Sequence, residues 1–180
     1  KYGVGKNRKT EIKTFENIDA TKVVVASKKL YVNREEGFIG TAMRKDEFVG
    51  DCSDIDDIIV FRKDGTMQVV KVDNTVFVGK DIIYCAVFKK KDERTIYNMI
   101  YKDGKSGNTL MKRFSVTSIT RGKDYKLTKS NTGSKVLYFT ANPNGEAETV
   151  CVNLKKLQKL KVLKIDIDFS DLSIKGKGAG

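Results

Sequence analysis

The amino-acid sequence predicts an all-β fold assembled from repeated hairpins, and three observations predict it. Short runs rich in Val, Ile, Tyr and Phe recur from residue 22 onward, separated by charged turns. An acidic residue or Asn stands directly before Gly at Glu36-Gly37, Asp64-Gly65, Asp103-Gly104 and Asn144-Gly145. Those glycines recur at intervals of about 28, 39 and 41 residues, behind similar strands: "LYVNREEG", "IIVFRKDG", "NMIYKDG" and "LYFTANPNG". A hairpin repeat of roughly 40 residues predicts blade-like units, each needing neighbours to bury its faces.

Taken in order, residues 1–21 are basic and lack a core pattern. They read as the end of an upstream element and a linker, with a blade-built domain over 22–180. The composition predicts strands at 22–26, 30–33, 38–43, 57–61, 67–72, 82–88, 95–101, 110–116, 135–140, 148–153 and 165–169. Blade hairpins are expected near 22–43, 57–72, 95–116 and 135–153, with a partial last element at 160–175. Segments 57–61 and 67–72 are almost continuously apolar, so they are expected to be covered on both sides. Ile165, Ile167 and Phe169 alternate with Asp166 and Asp168, the pattern of a half-exposed strand.

Composition narrows the function. The chain has 180 residues, one Pro, no Trp, no His and a net charge of +12. Lys1 stands where Met would open a chain, so a longer parent is expected. No apolar run is long enough for a membrane helix. The lack of His removes the commonest general base and zinc ligand, which disfavours most enzyme classes. Cys52, Cys85 and Cys151 are widely spaced in apolar runs and read as buried free thiols. Residues 154–163, "LKKLQKLKVL", are either a short basic amphipathic stretch or a strand edge.

Several patterns that suggest catalysis or metal binding have simpler readings. "DGKSGNT" at 103–109 lacks the first Gly of a phosphate loop, whose place is taken by Met99, and it leads into a strand. The six acids between Asp46 and Asp57 read as an acidic loop facing another domain, and Asp166 and Asp168 as a solvated strand face. The seven Tyr residues read as packing groups.

The basic residues carry the stronger signal. Between Lys89 and Lys135, thirteen Lys or Arg face four acids, so +9 of the net +12 lies in a quarter of the chain. Concentrated charge of this kind is the footprint of a polyanion-binding surface. The candidate phosphate ligands are Arg62, Lys63, Lys89, Lys90, Lys91, Arg94, Lys102, Lys105, Lys112, Arg113, Arg121, Lys123, Lys126 and Lys129.

The sequence also resembles a known family. "NRKTEI" at 7–12 is similar to the end of the long coiled-coil helix that closes the DNA-cleaving core of bacterial type II topoisomerase A subunits. "KLYVNREEGFIGT" at 29–41, "DDIIVFRKDGTMQVVKV" at 56–72 and "GKDIIYCAVF" at 79–88 resemble successive blades of the C-terminal domain that follows it. The likeness is greatest to the topoisomerase IV type, with gyrase A subunits as close relatives.

The resemblance implies a propeller-like β-pinwheel of about four blades, not necessarily complete in this chain, which binds and bends duplex DNA at a basic rim. It implies no catalysis and no cofactor in this fragment. The parent enzyme would use ATP and Mg²⁺, a B subunit and a second A subunit, in the bacterial cytoplasm at the nucleoid and not at a membrane. The gyrase-type Q-R-R-G-G-x-G box is missing; the nearest approaches are "TRGKD" at 120–124 and "KGKGAG" at 175–180. That departure favours the topoisomerase IV type and leaves open whether DNA is wrapped or only bent. The alternative reading is a propeller-like protein-interaction scaffold with no DNA-specific role.

Overall fold

The computed structural model describes residues 28–130, 132–156 and 161–178. The expected strand at 22–26 and the upstream element at 1–21 lie outside them, as do residues 157–160 of the amphipathic stretch.

Among the described residues, fourteen strands form three four-stranded sheets and one two-stranded sheet. In chain order they are β1 Lys28–Asn33, β2 Phe38–Gly40, β3 Glu47–Cys52, β4 Asp57–Arg62, β5 Thr66–Lys71, β6 Val76–Phe77 and β7 Ile82–Phe88. Then follow β8 Ile96–Lys102, β9 Thr109–Ser115, β10 Tyr125–Lys126, β11 Lys135–Asn142, β12 Thr149–Asn153, β13 Lys164–Asp168 and β14 Lys175–Gly176.

The three large sheets run β3-β1-β2-β6, β10-β5-β4-β7 and β11-β8-β9-β14. They share one plan. A central hairpin (β1–β2, β4–β5 or β8–β9) gains one edge from a later strand (β3, β7 or β11). The other edge is a two-residue strand that returns after the chain has entered the next sheet (β6, β10 or β14). The sheets are therefore interlocked by strand exchange. β6 and β10 return antiparallel, whereas β14 lies parallel to β9.

Backbone hydrogen bonds repeat this interlock. Val78 N–H donates to the Gly37 carbonyl (2.8 Å) and Ile82 N–H to that of Arg34 (3.0 Å). One sheet further on, Leu127 donates to Gly65 (2.9 Å) and Val136 to Lys63 (2.8 Å). Each returning segment thus straps the preceding hairpin turn. Gly37 and Gly65 meet two demands there. Both have positive φ (83° and 76°), and a Cβ on either would collide with its strap, the Gly79 backbone or Thr128. In the β8–β9 turn the positive φ falls on Gly107 (72°) and not on Gly104, because that loop is longer than the expected two-residue turn.

The second sheet lies between the first and third. Alternation along β4 sends Ile58 and Val60 into a core shared with Leu30, Val32 and Ile39 of the first sheet. Ile59 and Phe61 enter a core shared with Tyr97, Met99, Tyr101 and Phe114 of the third. All four β4 side chains are at most 1% exposed. This double burial explains the unbroken apolar run, since no face of β4 meets water. Phe61 is the hub of the second core, with ring centroids 4.9 Å from Tyr97 and 4.6 Å from Phe139.

Three expectations are corrected. Residues 47–52 form strand β3, paired with β1, and only part of the expected acidic loop remains; the run alternates well enough for an edge strand whose acids face water. The expected 135–153 hairpin does not form. β11 pairs with β8 and β12 with β13, so Asn144-Gly145 turns between two sheets and not within one. Cys52 and Cys85 are buried free thiols, and burial pushes the Cys85 thiol up to about 12, but Cys151 is exposed on β12, at the small sheet's surface.

The seam between the third and fourth sheets is more polar than the other two. Glu148 accepts from Asn98 Nδ2 (2.9 Å), Tyr138 Oη (2.8 Å) and Thr140 Oγ1, and Phe169 packs beside Tyr138. Burial pushes the Glu148 carboxyl up, but the bonds from Asn98, Thr140 and Tyr138 outweigh it and hold the carboxyl below its usual range.

Two outcomes are expected. Phe61→Ala should lower stability by about 3–5 kcal/mol in urea unfolding, because it empties the hub of a core. For Glu148 the native value lies below the unfolded one, so its contribution is complete above the unfolded value of 4.5 and is lost as pH falls through the native value. Protection factors of β12–β13 amides, taken relative to the intrinsic exchange rate at each pH, should fall on acidification before those of β4, and Glu148→Gln should abolish the difference.

Candidate nucleic-acid interface

The straps decide which basic side chains point outward. At the turn end of the third sheet, Lys102 of β8 sits directly across from Lys135 of β11. Lys105 and Lys129 line one concavity with Gly104, Ser130 and Thr132. Lys63 belongs to the same rim, since its carbonyl accepts from Val136. All five lysines are exposed, and none is ion-paired among the described residues.

Like charges opposed across strands are unfavourable unless an anion intervenes. The acid beside them, Asp103, is 2% exposed and is occupied elsewhere: it accepts from Ser130 N–H (2.9 Å) and from the Ser106 N–H (2.9 Å) and hydroxyl (2.8 Å). Those bonds, with Ser130 foremost, hold its carboxyl far below the usual range. Asp103 therefore shapes the loop and neutralises no lysine.

A second group lies at the opposite end of the second sheet. Lys89, Lys90 and Arg121 line a concavity with Ile55, Val87 and Phe88. Its floor is the buried carboxylate of Asp57, 2.7 Å from Arg121 Nε and 3.9 Å from Lys90 Nζ. Lys91 and Arg94 extend this group along the β7–β8 loop, where Asp92 caps the backbone by accepting from Arg94 N–H and Thr95 Oγ1. Along the β10 edge, Lys123 and Lys177 both approach the Tyr125 ring, at 5.5 and 5.1 Å. Lys126, on the same edge, is held by Asp64 (3.1 Å) and Thr66 Oγ1 (2.6 Å).

Three of the expected phosphate ligands are committed to the interior. Arg62 donates to the Val78 carbonyl (3.1 Å) and to Asp124 (3.0 Å), joining the end of β4 to its strap. Arg34 does the same one sheet earlier, gripping Glu47 (2.6 and 2.7 Å) and donating to the Ile83 carbonyl (2.9 Å). Lys112 is only 6% exposed, and its Nζ donates to the carbonyls of Leu127 (3.1 Å) and Lys177 (2.8 Å). Burial, helped by Lys175, pushes its amine down to about 8. Arg113 donates to the Gly145 carbonyl (2.8 Å).

Arg62, Lys112 and Arg113 therefore join sheets, Lys126 is exposed but held by Asp64, and the outward set is Lys63, Lys89, Lys90, Lys91, Arg94, Lys102, Lys105, Arg121, Lys123 and Lys129. Lys135 joins them by register. Lys28, Lys29, Arg44 and Lys177 fall outside the charge-dense window that the sequence singles out, so their exposure or ring contacts emerge only in three dimensions.

Interlocked blade-like sheets with outward cations define a β-repeat module with a basic surface. A family model for the topoisomerase C-terminal domain of Bacteroidota matches residues 29–180, and the chain belongs to that family. A curated relative, the A subunit of DNA topoisomerase 4 from Borreliella burgdorferi, is 26% identical over 144 residues, which are 79% of this chain and 22% of the relative. The chain thus spans about a fifth of that relative's length. No solved structure matches it. Among the described residues no helix is long and apolar enough to cross a membrane.

The two kinds of basic residue should separate experimentally. Arg62→Ala should cost about 1–3 kcal/mol in chemical unfolding, because it strands the Val78 carbonyl and removes the tie to the half-exposed Asp124. Arg62→Lys should not restore the loss, since an ammonium cannot span both acceptors. Lys63→Ala, one residue away, should change stability by no more than about 0.5 kcal/mol.

Proposed function

We propose that this domain holds and bends duplex DNA through its phosphates, as a non-catalytic part of a topoisomerase IV-like A subunit. The observation that carries this reading is the cluster Lys63, Lys102, Lys105, Lys129 and Lys135: five exposed cations without carboxylate partners among the described residues, on rigidly strapped turns. Flexible ammonium groups suit phosphate neutralisation and carry no base-specific geometry, so binding should be indifferent to sequence. Bending a duplex by 40–90° costs on the order of 1–6 kcal/mol, which several distributed contacts together offset. The second group, around Lys89, Lys90 and Arg121, lies at the far end of the second sheet and would engage a duplex that curves past both.

In the parent enzyme, strand cleavage, ATP hydrolysis with Mg²⁺, and assembly with a B subunit and a second A subunit belong to regions outside this chain. The domain's part is to present a DNA segment for strand passage, at the bacterial nucleoid. It needs no cofactor of its own, since phosphate neutralisation requires only fixed cations.

Titration of a labelled duplex at rising KCl should give an affinity that falls steeply, with a log–log slope of about −0.9 per phosphate contact. Replacing Lys102, Lys105, Lys129 and Lys135 together by Gln should weaken binding and reduce the slope by roughly 3 or more. An unchanged slope in that variant, or salt-insensitive binding by the parent chain, would overturn the assignment.

A further inference from the structure

The first sheet buries one face against the second sheet, and among the described residues no sheet covers the other. Leu30, Val32, Ile39 and Val49 point into the shared core. Strand alternation and register therefore place Lys29, Tyr31, Phe38, Phe48 and Phe77 together on the opposite face.

The rings there form two pairs, Tyr31 with Phe48 (centroids 5.8 Å apart) and Phe38 with Phe77 (5.2 Å). Phe48 is 51% exposed and Phe77 58%. Aromatic rings gathered on the open face of a sheet leave a large apolar surface in water, which is the mark of an interaction site. The surface is also cationic. Lys28, Lys29 and Arg44 line a concavity with Tyr31 and Thr41, and Lys29 Nζ lies 5.8 Å from the Phe48 centroid. None of the three cations is ion-paired among the described residues.

An occupant must bring flat apolar faces and negative charge together. A duplex presents its phosphates but hides the faces of its bases. An apolar protein surface would cover the rings but gives three unpaired cations no partner. Unpaired nucleotides bring both, a base to stack on each exposed ring and a phosphate for each cation. We propose that the outer face of the first sheet is a stacking platform for single-stranded DNA, separate from the lysine rim of the third sheet. This site stands on its own residues and does not depend on the duplex reading.

The test is fluorescence anisotropy on the full chain with labelled oligo(dT) of roughly 15 nucleotides and, in parallel, a duplex of the same length. Phe48→Ala should weaken oligo(dT) binding about fivefold or more and leave duplex binding unchanged, and Phe48→Trp should retain it. The Gln variant of the lysine rim should show the reverse pattern. Because Phe48 is half exposed, thermal unfolding of Phe48→Ala should match the parent chain. No oligo(dT) binding would overturn the proposal, as would binding lost in Lys28→Gln/Lys29→Gln/Arg44→Gln but unaffected by Phe48→Ala. A self-associated state seen by light scattering that Phe48→Ala dissolves would assign the face to a second copy of the chain, and would also overturn it.

Discussion

Burial of β4 on both faces is the constraint from which the rest of the architecture follows. A strand with Ile58 and Val60 on one side and Ile59 and Phe61 on the other needs two apolar partners, and the neighbouring sheets supply one each. Neither neighbour could be held by side-chain packing alone at a fixed angle. The exchanged strands provide that angle, because each strap returns to the preceding sheet and donates backbone hydrogen bonds to its turn. Hydrophobic burial thus sets the stacking, while directional hydrogen bonds at Gly37 and Gly65 set the register.

That division of labour also determines where charge is free. Arginine sits at the end of β1 and of β4, next to the strap, and its fork reaches a carbonyl and a carboxylate at once. The aspartates of the turns are engaged by local backbone donors, Asp64 by Thr66, Asp92 by Arg94, Asp103 by Ser106 and Ser130; of these Asp103 is buried, and Asp64 also holds Lys126. Most of the lysines are left outside. A surface that is mixed in composition becomes cationic at its rim because acids satisfy local N–H groups better than lysines can. Lysine has donors only, so it cannot satisfy the N–H groups of a turn, and where no carbonyl or carboxylate lies within reach its ammonium extends into water.

The same physics explains what could be read in the sequence. Segments 57–61 and 67–72 announced a two-sided strand pair, since continuous apolar runs admit few other environments. The returning strands β6, β10 and β14 were illegible because two residues carry no periodicity, and their pairing is decided by straps far along the chain. β3 was hidden by Glu47 and Asp51, which composition assigns to a loop although alternation permits an edge strand. The displaced fourth hairpin has a similar cause: Asn-Gly marks a turn, but a turn signal does not say whether the flanking strands will pair with each other. At the candidate site the density of lysine between 89 and 135 was visible. The inward commitment of Arg62 and Lys112 was not, because nothing local distinguishes a strut from a surface cation. The aromatic face of the first sheet was equally invisible, as Tyr31, Phe38, Phe48 and Phe77 come from four strands.

The three seams are unequal, and the inequality bears on how the module works under load. The first two are apolar cores crossed by paired straps, so separating those sheets exposes large hydrophobic faces at once. The third rests on Glu148 and the side chains that donate to it, on Phe169, and on a parallel two-residue return of β14 that the Lys112 ammonium ties down. Hydrogen bonds to water replace such contacts at little net cost, so opening should begin at this seam. The lysine rim lies on the third sheet, inside the firm part of the stack. Phosphate contacts made there would be held by the two apolar cores and be insensitive to movement of β12–β13. On the proposed function that placement would matter, because a bent duplex would push back on its contacts and the recoil would be carried by the best-packed part of the chain.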